Sequence, residues 1–147
     1  MKVIIRAPLF PTEDEKRVLK ALANIFPEIK FRIEGEGKFR EIIGECICSH
    51  CLEKLRNKLR TQRILDSARS YIFKGRKNGF VKFYLNKQAA FVGKISFCAF
   101  EFGESPLGAI TVIVELGDED FEKFVNWLAP ATVNGRPVNE ENEFPCK

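Results

Sequence analysis

Residues 109–116, with the sequence AITVIVEL, form the most strand-like stretch of the chain. Ile110, Val112 and Val114 recur at every second position, which is the side-chain period of a β-strand with one buried face. Asp118 follows as a candidate helix N-cap, and the apolar residues beyond it recur at helical spacing. This part of the sequence therefore predicts a strand followed by an amphipathic helix.

The start of the chain shows the same order of features. Residues 2–7, KVIIRA, predict a strand, and Thr12 and Glu15 stand three positions apart, as they do in a capping box. Apolar residues at helical spacing follow until Pro27, which ends the predicted helix. The identity between the two ends of the chain is too low to indicate a repeat.

The middle of the chain adds three strands and a long helical region. Residues 29–33 alternate apolar and basic side chains, and residues 39–46 and 80–85 also have strand character. Residues 52–77 are helical, but their apolar stripe changes face, so we predict a break at 60–62. Together these elements predict an α+β fold with two layers, in which a mostly antiparallel sheet carries helices packed on one side.

Length and composition limit the domain organisation. A chain of 147 residues with 45% hydrophobic residues is large enough to bury one core. We predict a single α+β domain over residues 1–138 and a loose polar C-terminal tail over 139–147. No apolar run approaches the roughly 18 residues of a membrane span, and the N-terminus is charged too early for a secretory signal. The sequence favours a cytoplasmic protein without a membrane partner.

The positive charge of the chain is concentrated in one block. Residues 52–77 contain nine Lys or Arg and two acids, a net charge of +7, whereas the whole chain has a net charge of +4. Concentrated positive charge is typical of proteins that bind a polyanion. A solvated helix with internal ion pairs is the alternative, but two acids leave few partners within the block.

The block and the polar residues after it supply the candidate RNA-binding residues. Basic side chains at helical spacing can neutralise phosphates and release their counterions. The amide and amine groups of residues 86–88 can hold a phosphate or a base edge, and can equally cap a helical turn. The predicted RNA contacts are Lys58, Arg60, Arg63, Arg69, Lys74, Arg76, Lys77, Asn86, Lys87 and Gln88.

A cysteine cluster offers a second kind of site. Three of the five cysteines and the single histidine lie within six residues, at Cys46, Cys48, His50 and Cys51. Thiolate and imidazole are the ligands that Zn²⁺ prefers, although one short segment can hardly surround a tetrahedral ion. The odd number of cysteines favours reduced thiols. The alternative is that these are small strand residues followed by the first turn of a helix, so we predict no metal and no cofactor.

Catalytic residues are not indicated by the sequence. The acids cluster at the predicted helix starts, where capping accounts for them. The single histidine lies within the cysteine cluster, so no Ser/His/Asp arrangement can be proposed. We therefore predict that the protein is not an enzyme.

Several strings of the sequence resemble one family. They are PTED at 11–14, NKQAAFVG at 86–93, GESPLG at 103–108 and WLAP at 127–130. The family is archaeal and uncharacterised, and its members are described as predicted RNA-binding proteins. The resemblance covers about residues 2 to 138. It implies an α+β fold similar to that of the ribosomal protein that contacts 5S rRNA, also described as double-stranded-RNA-binding-domain-like. It also implies homodimers, and it assigns no catalytic residues.

The resulting prediction is a non-enzymatic protein that binds structured or double-stranded RNA mainly through phosphate and shape. Two alternatives remain at this stage. The basic helices could instead meet an acidic protein partner, as in a scaffolding protein. The cysteine cluster could form a small metal or redox module.

Overall fold

A computed structural model describes residues 1–103 and 107–145 of the protein, and these residues contain nine strands. They are β1 (Lys2–Leu9), β2 (Arg32–Glu34), β3 (Arg40–Cys46), β4 (Arg76–Lys77), β5 (Phe80–Asn86), β6 (Phe97–Cys98), β7 (Ala109–Glu115), β8 (Thr132–Val133) and β9 (Arg136–Pro137). One sheet has the order β2-β3-β1-β7-β5-β4, with β6 also paired to β5, and its pairings are antiparallel. β8 and β9 form a separate hairpin.

The sheet has one buried face and one partly open face. Ile5 of β1 pairs with Gly44 of β3 and with Val112 of β7, and Val112 pairs with Phe83 of β5. These four residues are buried, whereas Ile4, the neighbour of Ile5 along β1, is only half-buried. Alternate residues of a strand point to opposite faces, so the core lies on one side of the sheet.

The helices supply the other layer of this core. They are α1 (Glu15–Ile25), α2 (Glu53–Thr61), α3 (Leu65–Lys74), α4 (Lys87–Phe91) and α5 (Phe121–Leu128). Leu22 of α1, Leu59 of α2 and Ile72 of α3 are fully buried with the inner face of the sheet. The predicted α+β class with a mostly antiparallel sheet is confirmed. No helix in the described ranges is long and apolar enough to cross a membrane.

Several predicted boundaries differ from the observed ones, and three of them matter here. The N-cap of α1 is Asp14 rather than Thr12, because the Asp14 carboxylate accepts a hydrogen bond from the Lys16 amide at 2.9 Å. The N-cap of α5 is Asp120 rather than Asp118 for the same reason. β2 is Arg32–Glu34, so it shares only residues 32 and 33 with the strand predicted over residues 29–33.

The predicted break in the basic helical region is present. α2 ends at Thr61 and α3 begins at Leu65. Arg63 has a φ of 58°, a left-handed conformation that ends a helix, and the Ile64 amide donates back to the Leu59 carbonyl at 3.0 Å. The change of direction lets the apolar faces of α2 and α3 both reach the core.

Of the segment predicted as a loose tail, residues 139–145 are described, and Phe144 packs against the domain. The Phe144 ring is buried and lies 5.6 Å from the Phe124 ring centroid and 6.0 Å from the Trp127 ring centroid. The Ser49 hydroxyl donates to the Phe144 carbonyl. One aromatic residue within a polar stretch is enough to fix this segment. Composition alone predicts a loose tail because it does not show that contact.

Candidate nucleic-acid interface

Two predicted RNA contacts of the basic block, like the neighbouring Arg56, hold the C-terminal part of the chain. Arg60 Nη2 donates to Glu140 Oε2 at 2.9 Å and to the Trp127 carbonyl at 3.1 Å. Arg69 Nη1 donates to Asn126 Oδ1 at 3.0 Å. Both arginines are half-buried. Their guanidinium groups therefore join helices of the domain, which sequence reasoning did not anticipate.

The end of α3 and β4 presents the exposed cations Lys74, Arg76 and Lys77. The guanidinium carbon of Arg76 lies 4.0 Å from the centroid of the Phe121 ring. Phe121 stands between Asp120 and Glu122, both exposed carboxylates at the start of α5. The acids beside this ring reduce the positive potential that the three cations would otherwise produce.

The three polar residues at the start of α4 have three different environments. The Asn86 side chain accepts a hydrogen bond from the Ala89 amide at 2.9 Å and caps α4. Lys87 is buried, and Gln88 is exposed. Of the two interpretations of this string, Asn86 follows the capping one, and only Gln88 is open to a ligand.

Lys87 forms a closed internal ion pair. Its ammonium donates to the Pro8 carbonyl at 2.5 Å, the Leu107 carbonyl at 2.7 Å and Glu13 Oε1 at 3.0 Å. Burial lowers the pKa of Lys87, while its hydrogen bond to the Glu13 carboxylate acts in the opposite direction. An ammonium has three donors, so this geometry leaves none for a phosphate. In place of the predicted phosphate contact, Lys87 links β1, the turn before α1 and the residues before β7.

Residues 91–95, here called the α4 turn, lie against α1. The Phe91 ring centroid is 5.4 Å from the guanidinium carbon of Arg17 and 4.8 Å from the Lys20 ammonium. Asn24 Nδ2 donates to the Ala90 carbonyl at 2.9 Å and to the Phe91 carbonyl at 3.0 Å. The amide of Asn24 thus fixes the start of the α4 turn beside two exposed cations of α1.

The α4 turn is also held by α2. The Lys58 ammonium donates to the Gly93 carbonyl, and burial together with the nearby Lys54 ammonium lowers the pKa of Lys58. The Gln62 side chain donates to the Ile95 carbonyl at 3.0 Å and accepts from the Ile95 amide at 2.7 Å. Contacts from both helices give the turn a fixed position, with exposed Lys94 at its centre.

Sequence reasoning missed Arg17 and Lys20 because they lie outside the basic block. The two residues are three positions apart on α1, and both are exposed, whereas Val18 and Leu22 on the same helix are buried. Residues three apart share one face of a helix. That spacing was visible in the sequence, but nothing in it showed that this face of α1 meets α4.

An open cavity of about 720 Å³ lies between α1 and α4, here called the α1–α4 cavity. The lining includes Arg17 and Val18 of α1, Gln88 and Phe91 of α4, and Val92. The Lys87–Glu13 pair also lines it, with both side chains less than 10% exposed, at 7% and 8%. The cavity combines apolar walls with polar groups at its rim.

The cysteine cluster does not converge on a metal position. The Cys46 and Cys51 thiols both donate to the Cys48 carbonyl, at 3.1 Å and 2.9 Å. His50 points to Glu28 instead, with Nε2 2.9 Å from Oε2. Within residues 1–103 and 107–145, no group of three or more His, Cys, Asp or Glu side chains could hold a metal ion. Cys48 is disulfide-bonded, so the prediction of reduced thiols is wrong for this residue.

A family described as RNA binding has a model that matches residues 2–116, which contain the seven strands of the main sheet and the first four helices. The chain belongs to this RNA-binding family. Its relatives include the UPF0201 protein of Metallosphaera sedula, which is 42% identical over 137 residues covering 93% of each chain. The resemblance to an uncharacterised archaeal family of predicted RNA-binding proteins is confirmed. The names of these relatives refer to no reaction.

Solved structures of the UPF0201 family share the fold. The crystal structure of the UPF0201 protein from Methanococcus jannaschii has a TM-score of 0.83 and 41% identity, covering 95% of this chain and all of that one. A DUF54 protein from Methanothermobacter thermautotrophicus has a TM-score of 0.55 at 20% identity, which shows a common fold only. A "UPF0200/UPF0201 protein" of Archaeoglobus fulgidus is 44% identical, but this chain spans only 41% of its length.

Proposed function

We propose that the protein is a non-enzymatic, cytoplasmic protein that binds structured RNA through its phosphates and its shape. The description of the family supports RNA as the partner. One observation guides the choice of surface: Arg17 and Lys20 from α1 and Lys58 from α2 approach the same short turn. With exposed Lys94, these residues form what we call the α4 surface.

The α4 surface is favoured over the end of α3 for an electrostatic reason. Arg17, Lys20 and Lys94 form no salt bridge with any described residue. At the end of α3, in contrast, Arg76 lies on a ring flanked by two exposed carboxylates. Asp14, an exposed carboxylate, lines the α1–α4 cavity together with Arg17 and reduces the potential at that one cation, which leaves Lys20 and Lys94 as the stronger phosphate contacts. Lys74, Arg76, Lys77 and Arg63 make secondary contacts in this proposal.

Duplex RNA suits a surface of this kind. A-form RNA hides its base edges in a deep major groove and presents phosphates and 2′-hydroxyl groups to a protein. Cations that are placed by packed helices can follow the phosphates without reading a sequence. The proposed binding is therefore sensitive to salt and to the A-form, and only weakly sensitive to sequence.

Two matched triple variants test the surface. Arg17→Gln/Lys20→Gln/Lys94→Gln removes three charges from the α4 surface, and Lys74→Gln/Arg76→Gln/Lys77→Gln removes three from the end of α3. Affinity for a duplex RNA of about 20 base pairs is measured over a range of salt. The log–log slope should fall by about 0.9 for each lost phosphate contact, and more in the first variant.

The outcomes separate the two parts of the proposal. A larger effect of the α3 variant would move the interface to that end of the molecule. Absence of binding by the wild type at low salt, to duplex RNA, single-stranded RNA and duplex DNA alike, would overturn RNA binding. In that case isolation of an acidic protein partner becomes the next experiment.

The homodimer stays part of the proposal. Two copies of the α4 surface would double the number of phosphates that one particle can neutralise, which raises the expected salt slope. Light scattering during size exclusion gives the mass directly, and a chain of 16.8 kDa should elute with twice that mass. A monomer at micromolar concentration would remove the dimer from the proposal.

A further inference from the structure

The α1–α4 cavity is large enough for a nucleotide. Small-molecule sites are commonly about 300–1,000 Å³, and this cavity has about 720 Å³. It lies beside the α4 surface, because Arg17 belongs to both and the Phe91 ring of the cavity lies next to Arg17. A ligand in the cavity would therefore be adjacent to the phosphates that the α4 surface is proposed to hold.

The walls of the cavity suit a flat apolar group with polar edges. Phe91 is half-exposed, and Val92 has 67% of its surface exposed although it is apolar. Proteins bind unpaired RNA bases by stacking them on aromatic side chains and by bonding their edges. The Gln88 amide is exposed at the rim and makes no side-chain hydrogen bond to a described residue, so both its donor and its acceptor are available.

The charges of the cavity determine which end of a ligand enters. The ammonium of Lys87 is fully bonded by two carbonyls and by Glu13, so the lining has no unpaired buried charge. A phosphate placed beside Lys87 would lose its water, gain no free donor and face the Glu13 carboxylate. Arg17 and Lys20, in contrast, are exposed cations on the outer side. The base must point inward and the phosphate outward.

We propose that the α1–α4 cavity binds one unpaired nucleotide, with its base against Phe91 and Val92 and its edge at Gln88. Its phosphate lies at Arg17. The inference rests on the proposed function, since the nucleotide is one that bulges from a bound RNA duplex. A free mononucleotide offers the same chemistry, and the experiment distinguishes the two sources.

The test compares two RNA duplexes that differ by one unpaired residue. One is fully paired, and the other carries a single 2-aminopurine bulge whose fluorescence reports insertion into the protein. The wild type should bind the bulged duplex about tenfold more tightly, a gain typical of one stacked base. Gln88→Leu should reduce that preference to less than threefold. Asn142→Leu removes an exposed amide outside the cavity and should keep the preference.

Each failure has a different meaning. Equal wild-type affinity for both duplexes would overturn the nucleotide site and leave the proposed function standing. Absence of binding to either would overturn both. An unchanged preference of Gln88→Leu for the bulged duplex would show that the unpaired nucleotide does not contact Gln88, and would overturn the cavity as its site. Displacement of the bulged strand's signal by micromolar adenosine monophosphate would identify the free nucleotide as the ligand and overturn the RNA source.

Discussion

Replacing Lys87 by methionine tests whether this lysine is a structural ion or an RNA ligand. Methionine keeps the unbranched chain and removes the ammonium, so the packing of the stem changes little. The Glu13 carboxylate, of which 8% of the side chain is exposed, then loses the cation that lies 3.0 Å from its Oε1. Glu13 keeps one hydrogen bond, from the Phe10 amide at 3.0 Å.

The expected cost follows from the burial of the pair. Breaking a buried ion pair by removing one partner costs about 3–5 kcal/mol, because the remaining charge stays in a poorly solvated position. An exposed pair would be worth only about 0–1 kcal/mol. The carbonyls of Pro8 and Leu107 lose a donor as well, which keeps the expected loss in the upper range.

Urea unfolding of the wild type and Lys87→Met measures this loss. Lys94→Met is the matched control, since Lys94 is exposed on the α4 turn and its replacement should change the free energy of unfolding by less than about 0.5 kcal/mol. Glu13→Gln/Lys87→Met removes both charges and should recover part of the stability. Under conditions where Lys87→Met is folded, its affinity for duplex RNA should equal that of the wild type.

A loss below about 1 kcal/mol would show that the pair behaves as if it were in water and would refute the structural role. Full stability together with weaker RNA binding would restore Lys87 as a phosphate contact. The two roles therefore give opposite results in the two assays.

Three further predictions follow from named contacts. Burial lowers the pKa of Lys87, so near the ordinary lysine pKa of about 10.4 the unfolded state binds more protons than the folded state. The stability advantage of the wild type over Lys87→Met should therefore grow as the pH rises toward that value. A difference that stays constant with pH would contradict this. Arg60→Ala should cost about 2 kcal/mol and expose residues 139–145 to protease, whereas Lys54→Ala should do neither. Burial, and then the hydrogen bond with Cys46, raises the pKa of the Cys51 thiol, so Cys51 should resist alkylation at pH 8 in the folded protein, as read by mass spectrometry; rapid labelling would show an open site.

The fold class followed from local patterns because those patterns record which side of each element is buried. The alternation at 109–116 predicts the strand observed as β7, and the change of apolar face at 60–62 predicts the break observed between α2 and α3. Cap positions shifted by two residues since Thr12 and Asp14 are both good caps, and the choice depends on where the chain enters the helix.

The site was harder to predict because charge alone does not reveal exposure. Arg60 and Lys87 have the same formal charge as Arg17 and Lys20, yet the first two bond internal carbonyls and carboxylates. Which cations remain available depends on contacts more than 60 residues apart in the chain. No local window of the sequence contains that information.

The string at 86–93 shows why a recognisable motif need not contain the ligand contacts themselves. Asn86 caps α4, and the Lys87 ammonium bonds this helix to β1 and to the turn before α1. Gly93 has a φ of 81°, a backbone conformation that residues with a side chain rarely adopt. Its carbonyl accepts a hydrogen bond from the Lys58 ammonium. Each of these residues gives the α4 turn its shape, so altering any of them would move Phe91 and Gln88 together. We therefore expect the proposed RNA contacts to come mainly from cations that adjoin this string, on α1, on α2 and at Lys94, and only at Gln88 and Phe91 from the string itself.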